Sequence, residues 1–276
     1  MTDFYKSFEK VLEGKSKGGV VCGDCLDILP QVPDESVDLT YIDPPFYSDS
    51  NYRTRDGNEA FTDRWTSLDE YLDWLLERIS VMRPILKRTG LIYIHLDHHA
   101  CHEAKPLFDQ VFGNENLRNE IIWYYNSAPR KKKDFGRRHD TIFRYSISED
   151  YFFDDRWPPI RQPYSVKTSI PKSKAHYYDP DGKVIDDVWI VPIIGQADKT
   201  ERTGYPTQKP EALLERIVGS SCPEDGIVAD FFCGSGTTFV VAERLGRRWF
   251  GCDVNPEAIK ITKERIEKER ARYPLF

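Results

Sequence analysis

Residues 226–253 constrain the fold more than any other stretch; they read GIVADFFCGSGTTFVVAERLGRRWFGCD. An apolar run at 226–232 leads into a turn with glycines at 234 and 236. The helical segment FVVAERLG follows, and a second apolar run ends on Asp253. Glycine takes positive φ without steric cost and lets a backbone come close to a ligand. Strand, glycine turn, helix and strand in this order predict a crossover unit of a mostly parallel sheet.

Asp253 stands seventeen positions after Gly236. An acid near that distance can grip two ribose hydroxyls in a nucleoside-binding α/β fold. Position 239 is Phe, so the full G-x-G-x-x-G is missing, as is the Gly-Lys-Ser/Thr of a phosphate loop. The turn therefore suits a ligand with a nucleoside and no phosphate, of which S-adenosylmethionine is one.

The rest of the chain continues the alternation. GGVVCGD (18–24), VDLTYID (37–43) and GLIYIHLD (90–97) read as strands. Residues 67–82 read as a helix opened by Ser67, and 98–112 as a helix stopped by Gly113. The polar segment 47–66 reads as a long loop. EIIWYY and DTIFRYSISEDYFF are aromatic and β-branched, like antiparallel strands, so 114–200 reads as an insertion outside the sheet core. PEALLERIVGSS (210–221) is an amphipathic helix, and a last helix starts with Asn255 as N-cap and Pro256 at its first position. The expected division is 1–113, a catalytic half; 114–200, the insertion; and 201–276, a cofactor-binding half.

Asp43-Pro44-Pro45-Phe46 closes the strand 37–42. Two prolines stiffen the turn, so the Asp43 carboxylate and the Pro44 carbonyl become neighbouring acceptors. An exocyclic amino group has two N–H donors for such a pair, and Phe46 offers a ring for a flipped base to stack on. An adenine amino nitrogen is a poor nucleophile because its lone pair is conjugated with the ring. Accepting both hydrogens localises that pair, so alignment and electrostatics suffice, with no covalent intermediate and no metal.

The formal net charge of −6 runs against nucleic-acid binding, yet Arg130 to His139 read RKKKDFGRRH. Local charge sets the field that a phosphate meets, so Arg130, Lys131, Lys132, Lys133, Arg137, Arg138 and His139 are the candidate DNA contacts. Cys22 and Cys25 form a C-x-x-C pair without the second pair that a structural zinc needs. Reduced thiols in a cytoplasmic protein are expected, and no secretory signal or membrane-spanning run is visible.

With these motifs in place, the chain resembles the beta-class DNA amino-methyltransferases of restriction–modification systems. That class carries its catalytic motif first, its target-recognition region in the middle and its cofactor motif last, as Asp43–Phe46, the basic aromatic insertion and Asp230–Gly236 do here. GDCLDIL (23–29) resembles the motif whose acid lies near the target amino group, which puts Asp24 at the ligand site; HDTIFRYS (139–146) resembles the start of the recognition region. YPTQKP (205–210) resembles the segment holding the methionine carboxylate, here Thr207, Gln208 and Lys209. Asp230, Phe231, Cys233, Gly234, Ser235, Gly236, Thr237, Asp253 and Asn255 resemble the remaining cofactor-binding positions. Many members carry Pro where Phe231-Phe232 stand here.

The resemblance implies a Rossmann-like methyltransferase fold with seven strands, one antiparallel, in circularly permuted order. It implies S-adenosylmethionine as cofactor, duplex DNA as substrate with base flipping, frequent homodimers and a cognate restriction endonuclease. Asp in the first position of the quartet points to adenine N6; cytosine-N4 enzymes more often carry Ser. An RNA or protein-amide methyltransferase would carry Asn-Pro-Pro-Tyr with the cofactor motif earlier. A non-catalytic DNA-binding relative has no reason to keep the quartet. His95, Asp97, His98, His99 and His102 suggest a metal cluster, but polar residues are ordinary at the ligand-bearing edge of such a sheet.

Overall fold

The computed structural model describes residues 3–125, 133–163, 179, 182–195, 198 and 200–272. With strands numbered in chain order, one sheet runs β1 (Gly18–Cys22), β12 (Arg248–Asp253), β11 (Ile227–Asp230), β2 (Val37–Ile42), β5 (Leu86–Leu96), β7 (His139–Ser146), β6 (Leu117–Tyr124) and β10 (Val188–Ile190). All neighbours are parallel except the two pairs made by β7, which opposes both β5 and β6.

The single antiparallel strand is as expected, but the described residues give eight strands, not seven. The extra one is β10, three residues on the edge of β6. Trp189 turns inward while Val188 and Ile190 are exposed, and the Trp123 indole N–H donates to the Val191 carbonyl at 2.8 Å. So short a run carries too little periodicity to be read beforehand.

The reading of 114–200 as an insertion outside the sheet fails for its first part. Both β6 and β7 belong to the sheet, and Asp140 to Ser146 of β7 are buried without interruption. The aromatic and β-branched content that suggested separate hairpins is the content of a strand covered on both faces.

Helices cover both faces. On one lie α1 (Asp3–Leu12), α2 (Cys25–Ile28), α3 (Leu68–Met82) and α4 (Cys101–Phe112), whose Phe8, Tyr71, Leu75, Ile79 and Phe108 pack on Ile42, Ile92 and Ile94. On the other lie α5 (Glu211–Ser221), α6 (Thr237–Arg244) and α7 (Pro256–Arg272), whose Leu213, Ile217, Phe239 and Ile259 pack on Leu39, Tyr41, Leu91 and Tyr93. Alternate residues of one strand thus feed opposite cores. The caps are where the sequence puts them: Ser67 Oγ accepts from the Glu70 N–H at 3.1 Å, and Asn255 Oδ1 accepts from the Glu257 N–H at 2.8 Å. The α1 helix is an element that the sequence reading does not contain. Its Phe8 ring packs 4.2 Å from that of Phe250, and Arg248 donates to the carbonyls of Val11 and Leu12 at its end.

The segment 47–66 is not a plain loop. It folds into an antiparallel hairpin of β3 (Ser50–Arg53) and β4 (Glu59–Asp63), held by stacked Tyr52 and Phe61 rings 4.6 Å apart. Two further short strands, β8 (Arg161–Gln162) and β9 (Lys183–Val184), pair with each other. Among the described residues no helix is long and apolar enough to cross a membrane.

Candidate active site

Strands β2 and β11 are hydrogen-bonded neighbours, Leu39 opposite Val228 and Thr40 opposite Ala229. After β11 the chain crosses to β12 on one side; after β2 it crosses to β5 on the other. Their carboxyl ends therefore flank the point where the winding reverses, the place where open α/β sheets bind ligands. Asp43–Phe46 and Asp230–Ser235 leave the sheet there and line one cavity of about 550 Å³.

Asp43 is held from one side. Its Oδ2 accepts from Lys209 Nζ at 2.5 Å, and Lys209 also lies 5.1 Å over the Phe46 ring. The other oxygen, Oδ1, is buried without a hydrogen-bond partner. Removing a carboxylate oxygen from water without a donor is costly, so this atom marks a place for a donor from outside the chain.

The loop after Asp43 hangs on a residue that the sequence did not betray. Asp63, fully buried at the end of β4, accepts from the backbone N–H groups of Phe46, Tyr47 and Ser48 at 3.0, 2.8 and 2.9 Å. It also accepts from the Ser48 hydroxyl at 2.6 Å and the Trp65 indole at 3.1 Å. Tyr71 of α3 donates to the Pro45 carbonyl at 2.8 Å. These bonds fix a turn that takes Tyr47 and Asp49 through left-handed backbone, φ 65° and 51°.

On the other side of the cavity, Asp230 accepts from the Phe232 N–H at 3.0 Å and the Thr238 hydroxyl at 2.6 Å. Burial nevertheless pushes its carboxyl up to about 7, with Asp43 and Asp253 nearby adding to the rise. Asp253 accepts from the Gly234 N–H at 2.8 Å and the Asn255 N–H at 2.9 Å, and burial raises it too. Gly234 is left-handed at φ 49°, under the Tyr205 ring.

Most of the predicted ligand residues line this cavity, but their side chains are not all free. Phe231, Cys233, Ser235 and Thr237 belong to its wall, with Arg265 donating to the Ser235 carbonyl and the Thr237 hydroxyl, each at 2.9 Å. Gln208 spends its amide on Glu201 and Thr203. Asn255 spends its amide N–H on the carbonyls of Glu59 and Ala60. Thr207, left-handed at φ 56°, lines the cavity beside Lys209. Gly236 lies behind the wall: at φ 75° it caps α6, and Thr262 sits 2.5 Å from where its Cβ would be.

Asp24 also lines the cavity, at its far end. It follows β1, three strand positions from β2, or about 14 Å at 4.8 Å per strand. That separation from Asp43 follows from the strand order, which the sequence alone does not show. Asp24 Oδ2 pairs with Arg78 at 2.6 Å, and Arg78 lies 4.3 Å over the Trp74 ring.

Six acids line the cavity (Asp24, Asp43, Glu59, Asp63, Asp230, Asp253) against two bases, Arg78 and Lys209. Both bases are paired with acids of the same wall. This wall suits a ligand with positive charge and disfavours a phosphate.

The strand ends that flank the basic loop lie on the same edge. Because β6 is parallel to β5, its end at Tyr124 and the start of β7 at His139 lie on the side of Asp43. Arg130, Lys131 and Lys132 fall outside the described residues. Lys133 and Arg137 are exposed, as is Phe135 at 95%. Arg137 donates to His98 Nε2 at 2.6 Å. His98 belongs to a group with Asp97 and His99 whose donor atoms lie within 4.8 Å of one another. His99 Nδ1 is 2.7 Å from Asp97, so these side chains already partner one another.

The fold and this cavity together define a methyltransferase of the α/β class with S-adenosylmethionine as methyl donor. Residues 37–264 match the family described as DNA methylase, N6_N4_Mtase, and the chain belongs to that family. It is 31% identical to the type II methyltransferase M.HpaI of Haemophilus parainfluenzae, over 91% of this chain and 74% of that one. It is 30% identical to the DNA adenine methyltransferase YhdJ of Escherichia coli K12, over 92% and 84%. Among solved structures, the cytosine-N4-specific PvuII DNA methyltransferase superposes with a TM-score of 0.66 at 20% identity, covering 94% of this chain and 92% of that one. The M1.HpyAVI–SAM complex follows at 0.60 and 18%, covering 90% and 98%.

Proposed function

We propose that this chain transfers a methyl group from S-adenosylmethionine to N6 of adenine in duplex DNA, with the target base flipped out of the stack. The observation that carries the reading is the Asp43 carboxylate, tied to Lys209 by one oxygen and presenting the other, buried and without a donor, beside the cofactor turn. The adenine assignment draws on Asp rather than Ser in the quartet and on the similarity to an adenine methyltransferase.

The donor supplies a methyl group already activated by positive sulfur. The chain aligns and polarises. Asp43 Oδ1 accepts one amino hydrogen and the Pro44 carbonyl the other, while Phe46 stacks on the base. Lys209 holds Asp43 in place through its second oxygen. Asp230 and Asp253 give the cationic donor a negative wall, and Asp24, at the cavity's far end, joins the cofactor contacts. The part of 114–200 beyond β7 takes target recognition, in a cytoplasmic protein of a restriction–modification pair that works as a homodimer.

The direct test is incubation with the cofactor and unmodified genomic DNA, followed by nucleoside mass spectrometry and methylation-aware sequencing. N6-methyladenine at one recurring sequence is expected. N4-methylcytosine would move the target base, and label entering only structured RNA would overturn the substrate.

Replacing Lys133, Arg137 and Arg138 by glutamine should weaken DNA binding and flatten its salt dependence. Each lost phosphate contact removes about 0.9 from the slope of log K against log salt; an unchanged slope would show a merely solvated loop.

With the Asp230 carboxyl pushed up to about 7 by burial, the free protein holds a proton there below neutrality. A cationic ligand favours the carboxylate, so binding expels the proton and affinity rises with pH. Between pH 6 and 7 the cofactor Kd should fall several-fold, by at most tenfold per unit, and calorimetry should show proton release. Asp230→Asn should lose this slope; a variant that keeps it would assign the proton elsewhere. The same raised carboxyl costs stability as pH rises: the folded state alone holds the proton between about 4 and about 7, so its contribution is full below the unfolded value and is lost through about 7.

A further inference from the structure

Behind Asp43 lies a chain of polar groups that alignment of an amino group does not use. His95, on β5 and fully buried, places Nδ1 at 2.8 Å from the Tyr41 hydroxyl and Nε2 at 3.2 Å from Asp140 Oδ2. Tyr125 donates to Asp140 Oδ1 at 2.9 Å. His95 Nδ1 is 3.9 Å from Asp43 Oδ1, the oxygen with no partner of its own. A buried imidazole backed by a buried carboxylate is costly to assemble, and apolar residues would fill the same space.

Resting on the reading above, we propose that His95 and Asp140 form a buried proton acceptor behind Asp43, which takes the proton that the amino group must shed on methylation. As the N–CH3 bond forms, sulfur keeps the S–C electron pair and the nitrogen becomes cationic. The N–H bond then breaks with its pair left on nitrogen, and the proton passes to Asp43 Oδ1. From there it crosses to His95 Nδ1. Nε2–H remains on Asp140, so the imidazolium is balanced by a carboxylate, and Lys209 again faces an ionised Asp43. The cavity returns the proton to solvent through Asp43 once product has left.

The local chemistry supports each part. His95 hydrogen-bonding holds the Asp140 carboxyl below the usual range despite burial, so it is ionised and fixes the tautomer with Nε2–H. Nδ1 is then the free base, accepting from Tyr41. Burial keeps the Tyr41 phenol protonated, and its hydroxyl can turn from donor to acceptor when Nδ1 gains a proton. The 3.9 Å gap exceeds a hydrogen bond by about 1 Å, within reach of a carboxylate that tightens on substrate. The other groups against the imidazole are the rings of Phe46 and Trp123. Its charged surroundings are therefore Asp43 with Lys209, and Asp140 with Tyr125. His95 and Asp140 act through Asp43 and are positioning residues.

The test is the single-turnover rate of methyl transfer against pH, at saturating cofactor, on a duplex carrying the sequence recovered from genomic methylation. The wild type should lose rate at low pH, giving an acid limb. Asp140→Asn keeps an acceptor for Nε2–H but removes the charge. It should lower the plateau at least tenfold and move the acid limb down by about one pH unit or more, with the cofactor Kd and the KM for DNA within threefold of wild type. His95→Gln should abolish the limb; if it does not fold, Asp140→Asn decides alone. A folded Asp140→Asn with the wild-type limb and plateau overturns the proposal. A wild type that methylates no DNA instead overturns the function on which it rests.

Discussion

Asp43→Ala is expected to reduce methyl transfer at least a thousandfold while leaving the cofactor Kd within a factor of ten. Removing one preorganised partner of the developing charge costs about 10² to 10³ in turnover elsewhere, and here the base also loses its anchor. Lys209 complicates the result: it is mostly buried, and without Asp43 its ammonium keeps the Thr207 carbonyl at 3.3 Å and the face of the Phe46 ring, but no anion. Leaving a buried charge uncompensated costs about 3–5 kcal/mol, so the alanine variant should also melt earlier. Asp43→Asn separates the effects. It keeps an acceptor oxygen near the amino group and a polar contact for Lys209, yet cannot take a proton. If alignment alone mattered, Asn would recover most of the rate; a rate as low as that of alanine, in a protein of normal melting temperature, assigns the loss to the carboxylate charge. Undiminished turnover in both would remove Asp43 from the chemistry.

The contrast between Asp43 and its surroundings shows what a sequence exposes. The quartet and the glycine turn are local: residue type, strand end and spacing announce them, and both lie on one cavity. So are the Ser67 and Asn255 caps, which depend on residues two or three positions away. Partners that depend on strand order are hidden. Lys209 reaches Asp43 across 166 positions, and Asp140 reaches His95 across 45 because β7 is threaded between β5 and β6. Asp63 is the clearest case. Nothing in DRWTS marks a carboxylate with five donors; the hairpin that delivers it is built from four- and five-residue strands that look like loop. Asp24 was legible as an acid on a strand end and illegible in position, since its distance from Asp43 is set by two strands from the far end of the chain.

Glycine shows the same limit, and yields the other large effect. Gly234 and Gly236 make the turn that is visible in the sequence. The tightest approach is at Gly251, inside β12, where an added Cβ would lie 1.8 Å from the Asp230 carbonyl oxygen and 2.8 Å from the Phe239 ring. Gly251 pairs with Asp230 on one side and Val20 on the other, so β12 cannot move away without breaking a ladder. Gly251→Ala should therefore exceed the usual 1–3 kcal/mol of overpacking, at roughly 3–5 kcal/mol, which for a domain of this size lowers the melting midpoint by roughly 10 °C. Because the displaced atom belongs to Asp230, cofactor affinity should fall with it, by tenfold or more. Gly195→Ala is the matched control: among the described residues nothing lies within 4 Å of its added methyl group, so its stability should stay within about 0.5 kcal/mol of wild type. Thermal melts with and without S-adenosylmethionine read both quantities. A Gly251→Ala protein that melted and bound cofactor like the control would show that the two strands do not meet as closely as this sheet requires.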